Sequence, residues 1–346
     1  MKKPDREQLE YVDSVWRRLR LKEAKASTCA KIRRQGAKPR KLRVFVGRTV
    51  KAVAPKIFGL RGSEMRTELI DFLDRITRFT ELGAIVKISF EHTKILTSGG
   101  TLLFVATIER ILAARPGTIV CEYPTDEVVE QLFQHIGILE KLGLSPRKTI
   151  TAENVRHWHY LKGTNTDLSG VTNLFGVLAT KLSGDTSAGL FDSISEAVTN
   201  VVQHAYVGHG EVTDSTPRWW IFAQVTSTSE LQIAICDLGK GIPTSLKEKP
   251  DLADMLPALI RRMRKRVSSG MIEIAVESSR SRTKLPHRGK GLPDMLAFSK
   301  KERVGLFFIV SHDGIFHYSS HFDSEVARDF PQGISGTVIV WTIPLS

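Results

Sequence analysis

FDSISEAVTNVVQHAY, residues 191–206, sets Glu196, Asn200 and His204 four residues apart. At the pitch of an α-helix that spacing stacks all three on one face. Ile194, Ala197, Val198, Val201, Val202 and Ala205 form an apolar stripe that turns inward. The helix alone leaves two readings open. One is an amphipathic helix with a regular solvated face. The other is a row of carboxylate, amide and imidazole that can polarise a water, hold a hard cation and meet a phosphate.

Two later segments favour the second reading. Residues 231–242, LQIAICDLGKGI, run as an apolar strand that ends at Asp237 and opens into Gly239 and Gly241. Glycines there admit positive φ and close approach of a ligand to the backbone. Asp237 at the strand end is suited to accept a hydrogen bond from an exocyclic amine, which fixes a purine ring. Residues 287–295, HRGKGLPDM, carry Gly289, Lys290 and Gly291 into a predicted helix. The first amides of such a helix point at phosphate oxygens, and Lys290 adds charge. A glycine pair alone marks no more than a turn. The ordered triple of polar helix, strand with Asp–x–Gly–x–Gly, and Gly–x–Gly–Leu before a helix is far more specific.

In that order the segments resemble the GHKL ATP-binding superfamily, and EAVTNVVQHAY is most similar to the anti-sigma-factor serine kinases within it. The resemblance covers roughly residues 165–346. It implies an α/β sandwich with a mixed sheet on one side, and ATP and Mg²⁺ as cofactors. By resemblance Asn200 holds Mg²⁺, and Glu196 is the general base or water-positioning group. His204 joins them on the nucleotide side, and Asp237 binds the adenine amine. Gly239 and Gly241 shape the adenine pocket, while Gly289, Lys290 and Gly291 sit at the phosphates beneath a mobile lid. The C-terminal GTVIVWTIPL resembles the last strand of that fold, with Thr337 near the adenine. A water nucleophile would make the chain an ATPase, and a protein hydroxyl would make it a serine/threonine kinase. The alternative is an ATP-gated module that binds nucleic acid or protein with little turnover. A histidine kinase fits less well, because the region before residue 170 lacks the acceptor helix hairpin that reaction needs.

Upstream, residues 66–146 alternate helix, strand, helix, strand and helix, which argues for a small α/β unit. This unit resembles the STAS fold of anti-sigma-factor antagonists. Their phosphorylated serine follows an aspartate and opens a helix. Ser98 matches that acceptor position, Leu96 stands where the family has Asp, and Ser98 also reads as a plain helix N-cap.

Residues 1–62 hold 19 Lys and Arg against 5 Asp and Glu, and the rest of the chain 31 against 32. The whole net charge of +13 therefore arises in a basic N-terminal extension, which reads as a contact for nucleic acid or an acidic protein, or as a solvated tail. Few aromatics, Trp16 and Phe45 among them, interleave with its charges, so it offers no stacking platform. A second basic cluster, RRMRKR at 261–266, falls where the lid is expected. Cys29, Cys121 and Cys236 have no metal-ligand spacing, which suits a reducing cytoplasm. No apolar run reaches membrane-spanning length, and the N-terminus lacks a signal-peptide core.

The expected organisation is a basic extension (1–62), a STAS-like domain (66–146), a linker (147–164) and a GHKL-type domain (165–346). Expected partners are ATP, a protein of unknown identity, nucleic acid at the basic arm, and a second copy of the chain. In the linker, HWHY puts His157 and His159 on one side of an extended segment, where a structural or interface role is favoured over metal binding.

Overall fold

Residues 219–225, 231–236 and 338–343 are apolar at nearly every position, so both faces of those segments need cover. A computed structural model describes residues 47–178, 181–207, 218–226, 229–248, 267–277 and 291–345. In it β1 (Thr49–Val53), β2 (Ile57–Phe58), α1 (Ser63–Glu81), β3 (Ile85–Ser89), β4 (Ile95–Leu96), α2 (Ser98–Ala114), β5 (Ile119–Cys121) and α3 (Glu127–His135) build a first unit. The short α4 (Ile138–Lys141) and α5 (Glu153–Arg156) complete it. β1, β3 and β5 form a parallel sheet, and β2 pairs with β4 in parallel.

The second unit holds β6 (Trp158–Gly163), α6 (Ser169–Leu178), α7 (Gly184–Asn200), a π-helical turn (Val201–Ala205), β7 (Trp219–Val225) and β8 (Glu230–Asp237). α8 (Gly241–Lys247), α9 (Val267–Glu277), α10 (Gly291–Lys301), β9 (Leu306–Ser319) and β10 (Ser324–Pro344) follow. The sheet order is β6-β7-β8-β10-β9, and every adjacent pair is antiparallel. The chain is thus of mixed α/β class, with one parallel and one antiparallel major sheet among the described residues. No helix among them is long and apolar enough to cross a membrane.

Three expectations are corrected. The sheet of the second unit is wholly antiparallel rather than mixed. The boundary of the basic extension moves, because Thr49–Val53 and Ile57–Phe58 are strands of the first unit. Their short apolar runs were hidden beside the charge-dense segment. The supposed linker 147–164 contains α5 and β6, and β6 is the edge strand paired with β7. Its half-exposed, histidine-bearing sequence masked the strand, as edge positions have only one demanding face. Trp158 is buried and its carbonyl meets His135 Nε2 at 2.9 Å. Among the described residues no group of three or more His, Cys, Asp and Glu could hold a metal, and His159 lies in β6 opposite Ala223 of β7.

Side chains alternate across the antiparallel sheet. Trp219, Ile221, Ile233, Ile235, Ile339 and Trp341 face one core, shared with Leu190, Ile194 and Val198 of α7 and Met295 of α10. Trp220, Phe222, Ala234, Cys236, Phe308 and Val340 face the other, shared with the first unit. α2 carries that second contact. Ser98 to Ile108 are all buried, which explains why this helix is apolar all round. Phe104 sits at its centre, with ring centroids of Phe58, Phe72, Phe90 and Phe133 at 5.1–6.2 Å.

Glu109 of α2 ties the layers electrostatically. Its carboxylate accepts from Trp220 Nε1 (3.0 Å), Tyr160 Oη (2.9 Å) and Lys162 Nζ (3.1 Å), and pairs with Lys141. Burial pushes the Glu109 carboxyl up, but the hydrogen bonds from Lys141, Trp220 and Lys162 outweigh it and hold it at about 2.

Candidate functional site

The polar row on α7 does not remain α-helical throughout. Ser183 caps the helix by accepting from the Thr186 amide at 3.2 Å, and regular α-geometry ends at Asn200. The next five residues form a π-turn, whose wider winding moves His204 off the strict four-residue line. Asn200 and His204 nevertheless line the same cavity, of about 310 Å³, while Glu196 is exposed one turn earlier.

Asp237 enters that cavity from the last position of β8, opposite Thr337 of β10. Its side chain is buried and accepts from the Gly239 amide at 2.8 Å. Burial pushes the Asp237 carboxyl up to about 7, against the pull of hydrogen bonds from Gly239 and Thr337. A buried carboxyl poised near neutrality, with a free face on a cavity, is a recurring mark of functional sites.

The loop after Asp237 is held from two sides. Gly239 packs so closely that a Cβ there would stand 2.3 Å from the Ala205 carbonyl. Gly241 has φ +74°, and a Cβ would stand 2.8 Å from His312 Cδ2 and Ser311 Oγ. Only glycine meets both demands at Gly241. Ser311 Oγ accepts from the Ile242 amide at 2.9 Å and donates to the Gly336 carbonyl at 2.9 Å. His312 Nε2 meets the Lys240 carbonyl at 2.8 Å. Thr337 closes the floor, its hydroxyl 3.2 Å from Ser311 Oγ.

The third segment reaches the polar row at Gly291, the first residue of α10. A Cβ there would lie 2.8 Å from Glu196 Oε2 and 3.0 Å from Asn200 Nδ2. The helix start therefore passes directly over the carboxylate and the amide. Gly289, Lys290 and the 261–266 cluster lie outside the described residues, as does the basic run 1–46.

Of the residues singled out from sequence, Asn200, His204, Asp237, Gly241 and Thr337 line one cavity, and Gly291 brings Glu196 to its edge. Gly239 shapes the loop from behind. Lys240, Ser311 and His312 went unrecognised. Lys240 is buried in the same cavity wall, donating to the Val207 carbonyl at 2.8 Å and pairing with Glu248. The sequence signal was its place between Gly239 and Gly241, where a long polar chain must turn either to solvent or to the site. Ser311 and His312 lie 69 and 72 residues from their partners in the loop they hold, and no local pattern marks them.

Ser98 is not the N-cap of α2. Thr97 takes that role, with its hydroxyl accepting from the Gly100 amide at 3.3 Å. Ser98 is 2% exposed, and its hydroxyl meets Gln232 Oε1 at 3.4 Å, so in this fold the acceptor position is covered by the antiparallel sheet.

The donor set suits a purine and a hard cation. Asp237 supplies a buried acceptor above a glycine cradle, with apolar Ile235 and Ile339 beside it. A Mg²⁺ ion that bridges phosphates needs only one or two protein oxygens, which Asn200 can provide. The chain matches no family model and no curated protein.

Proposed function

We propose that this cavity binds ATP with Mg²⁺, and that the chain hydrolyses the nucleotide or transfers its γ-phosphate as a nucleotide-dependent regulator of a protein partner. The reading takes the second unit as GHKL-type and the first as STAS-like. One observation carries it: Asn200 and His204, Asp237 and Thr337, and Gly291 over Glu196, far apart in sequence, converge on one small cavity. In this reading Asp237 accepts from the adenine amine, Thr337 backs that contact, and Glu196 orients or deprotonates the nucleophile. Asn200 holds Mg²⁺, which when bound offsets charge on the phosphates.

Calorimetry with ATP and Mg²⁺ tests it. The wild-type chain binds, and Asp237→Asn weakens binding by about 1–3 kcal/mol, the cost of spoiling a hydrogen bond to a charged group. No heat of binding from any adenine nucleotide, or an unchanged affinity in Asp237→Asn, removes the assignment.

The Asp237 carboxyl adds a pH signature. Because its folded pKa is raised to about 7, the folded apo protein carries more protons than the unfolded chain between the two values. Its contribution to stability therefore falls as pH rises through that window. A ligand that donates to the carboxylate selects the ionised form. Affinity should accordingly rise about tenfold from about pH 6 to about pH 8, with proton release on binding. Asp237→Asn should lose this component, leaving only the titration of the phosphates. An identical pH profile for both proteins would count against a carboxylate acceptor.

A further inference from the structure

A second and larger cavity, of about 770 Å³, lies between the first unit and the opposite face of the antiparallel sheet. Leu60, Phe308, Ile315 and Val340, all buried, form an apolar part of its wall, beside the buried polar Ser98, Gln224 and Thr342. Three potential cations share it. Arg61 and Arg328 are exposed and His317 is half-buried, which places charge at the mouth and hydrocarbon inside. No acidic side chain is among its described lining residues. Neither arginine has a carboxylate partner among the described residues; Arg328 instead lies over the Phe330 ring, 5.1 Å from its centroid. β-Sheet register explains the clustering. Arg328 pairs with Ile315 and Val326 with His317, so the four project from neighbouring positions on one face.

Exposed guanidinium groups with no carboxylate partner among the described residues leave their N–H donors open to an anion at the cavity mouth. Burial, and then Arg61, push the His317 imidazole below its usual range, so near neutrality it offers an uncharged ring nitrogen for hydrogen bonding beside the two guanidinium charges. The volume is that of a small-molecule site. The chain's own N-terminal run is a poor occupant, since residues 1–46 hold 15 Lys and Arg against 5 Asp and Glu.

We propose that this interlayer cavity is a second ligand site, distinct from the nucleotide cavity, for a small amphiphilic anion: a carboxylate, sulfonate or phosphate head held by Arg61, Arg328 and His317, with an apolar body against Leu60, Phe308 and Val340. It stands whether or not the first cavity binds ATP.

The test uses the full chain and two dyes that differ in one charged group. Anilinonaphthalenesulfonate should bind saturably at one site per chain, with fluorescence enhancement that excess ATP does not reverse. In the double variant Arg61→Gln with Arg328→Gln its affinity should fall about tenfold or more, because both charged contacts to the sulfonate are lost. Binding of uncharged N-phenylnaphthylamine should be unchanged, because the apolar wall is intact. Both arginines are exposed, so the double variant should fold. The proposal is overturned by absent or non-saturable sulfonate binding, by displacement with ATP, by equal affinity in the double variant, or by equal loss for both dyes.

Discussion

Glu196→Ala should abolish most ATP turnover while leaving the nucleotide bound. Glu196 is exposed at the cavity edge, and its Oε2 lies 2.8 Å from where a Cβ on Gly291, the first residue of α10, would stand. A carboxylate so placed can orient a water or take its proton, and general-base assistance contributes about 10²–10⁴ in rate. The variant should lose a factor of that size in phosphate release or phosphotransfer. Its ATP affinity by calorimetry should change little, because the proposed adenine contact is made by Asp237 on another segment. The competing class of function gives a different pair of results. If the wild-type chain shows no turnover, and ATP-dependent partner binding survives Glu196→Ala, the protein is a nucleotide-gated binder and the carboxylate is only part of a solvated face. Ser98 is buried against Gln232, so a phosphotransfer assay needs a separate substrate protein.

Glu109→Ala should destabilise the whole chain by about 3 kcal/mol. Removing the carboxylate leaves the buried Trp220 indole N–H and the Tyr160 hydroxyl without this partner, and leaves Lys141 and Lys162 side by side. The pKa gives the same scale. A carboxyl held at about 2 rather than near 4.5 stabilises the fold by about 3 kcal/mol above the unfolded value. Its folded pKa is depressed, so that stability is present above about pH 4.5 and disappears as pH falls through about 2. Urea unfolding followed by both tryptophan fluorescence and far-ultraviolet circular dichroism checks the prediction. One cooperative transition should shift to lower denaturant for both probes. Two separated transitions, with only one of them moved, would mean that the two units fold independently and that Glu109 does not join them.

The local chemistry of the candidate site was readable from short stretches. A row at four-residue spacing, an aspartate at the end of an apolar strand and a glycine pair before a helix are patterns within a dozen residues. Each element type came out as expected: α7 under Glu196, β8 ending at Asp237, α10 starting at Gly291. The π-turn after Asn200 was invisible, because it is set by how Ala205 must meet the glycine loop. Its carbonyl accepts from the Lys240 amide at 2.8 Å. Ser311 and His312 were equally hidden, since their partners are reached only through strand pairing.

Sequence alone determined which segments carry polar chemistry and that strands and helices alternate, because spacing and hydrophobic period act over a few residues. It also marked residues 231–237 as an apolar strand and the C-terminal GTVIVWTIPL as a strand, although a period of two says nothing about what covers each face. That was decided by tertiary structure. α2 lies on one face of the antiparallel sheet with Glu109 as its tie, and α7 and α10 lie on the other with the candidate site at their ends. Burying both faces of one sheet joins the two units in a continuous core, and this long-range demand, more than any local motif, sets where the two cavities open.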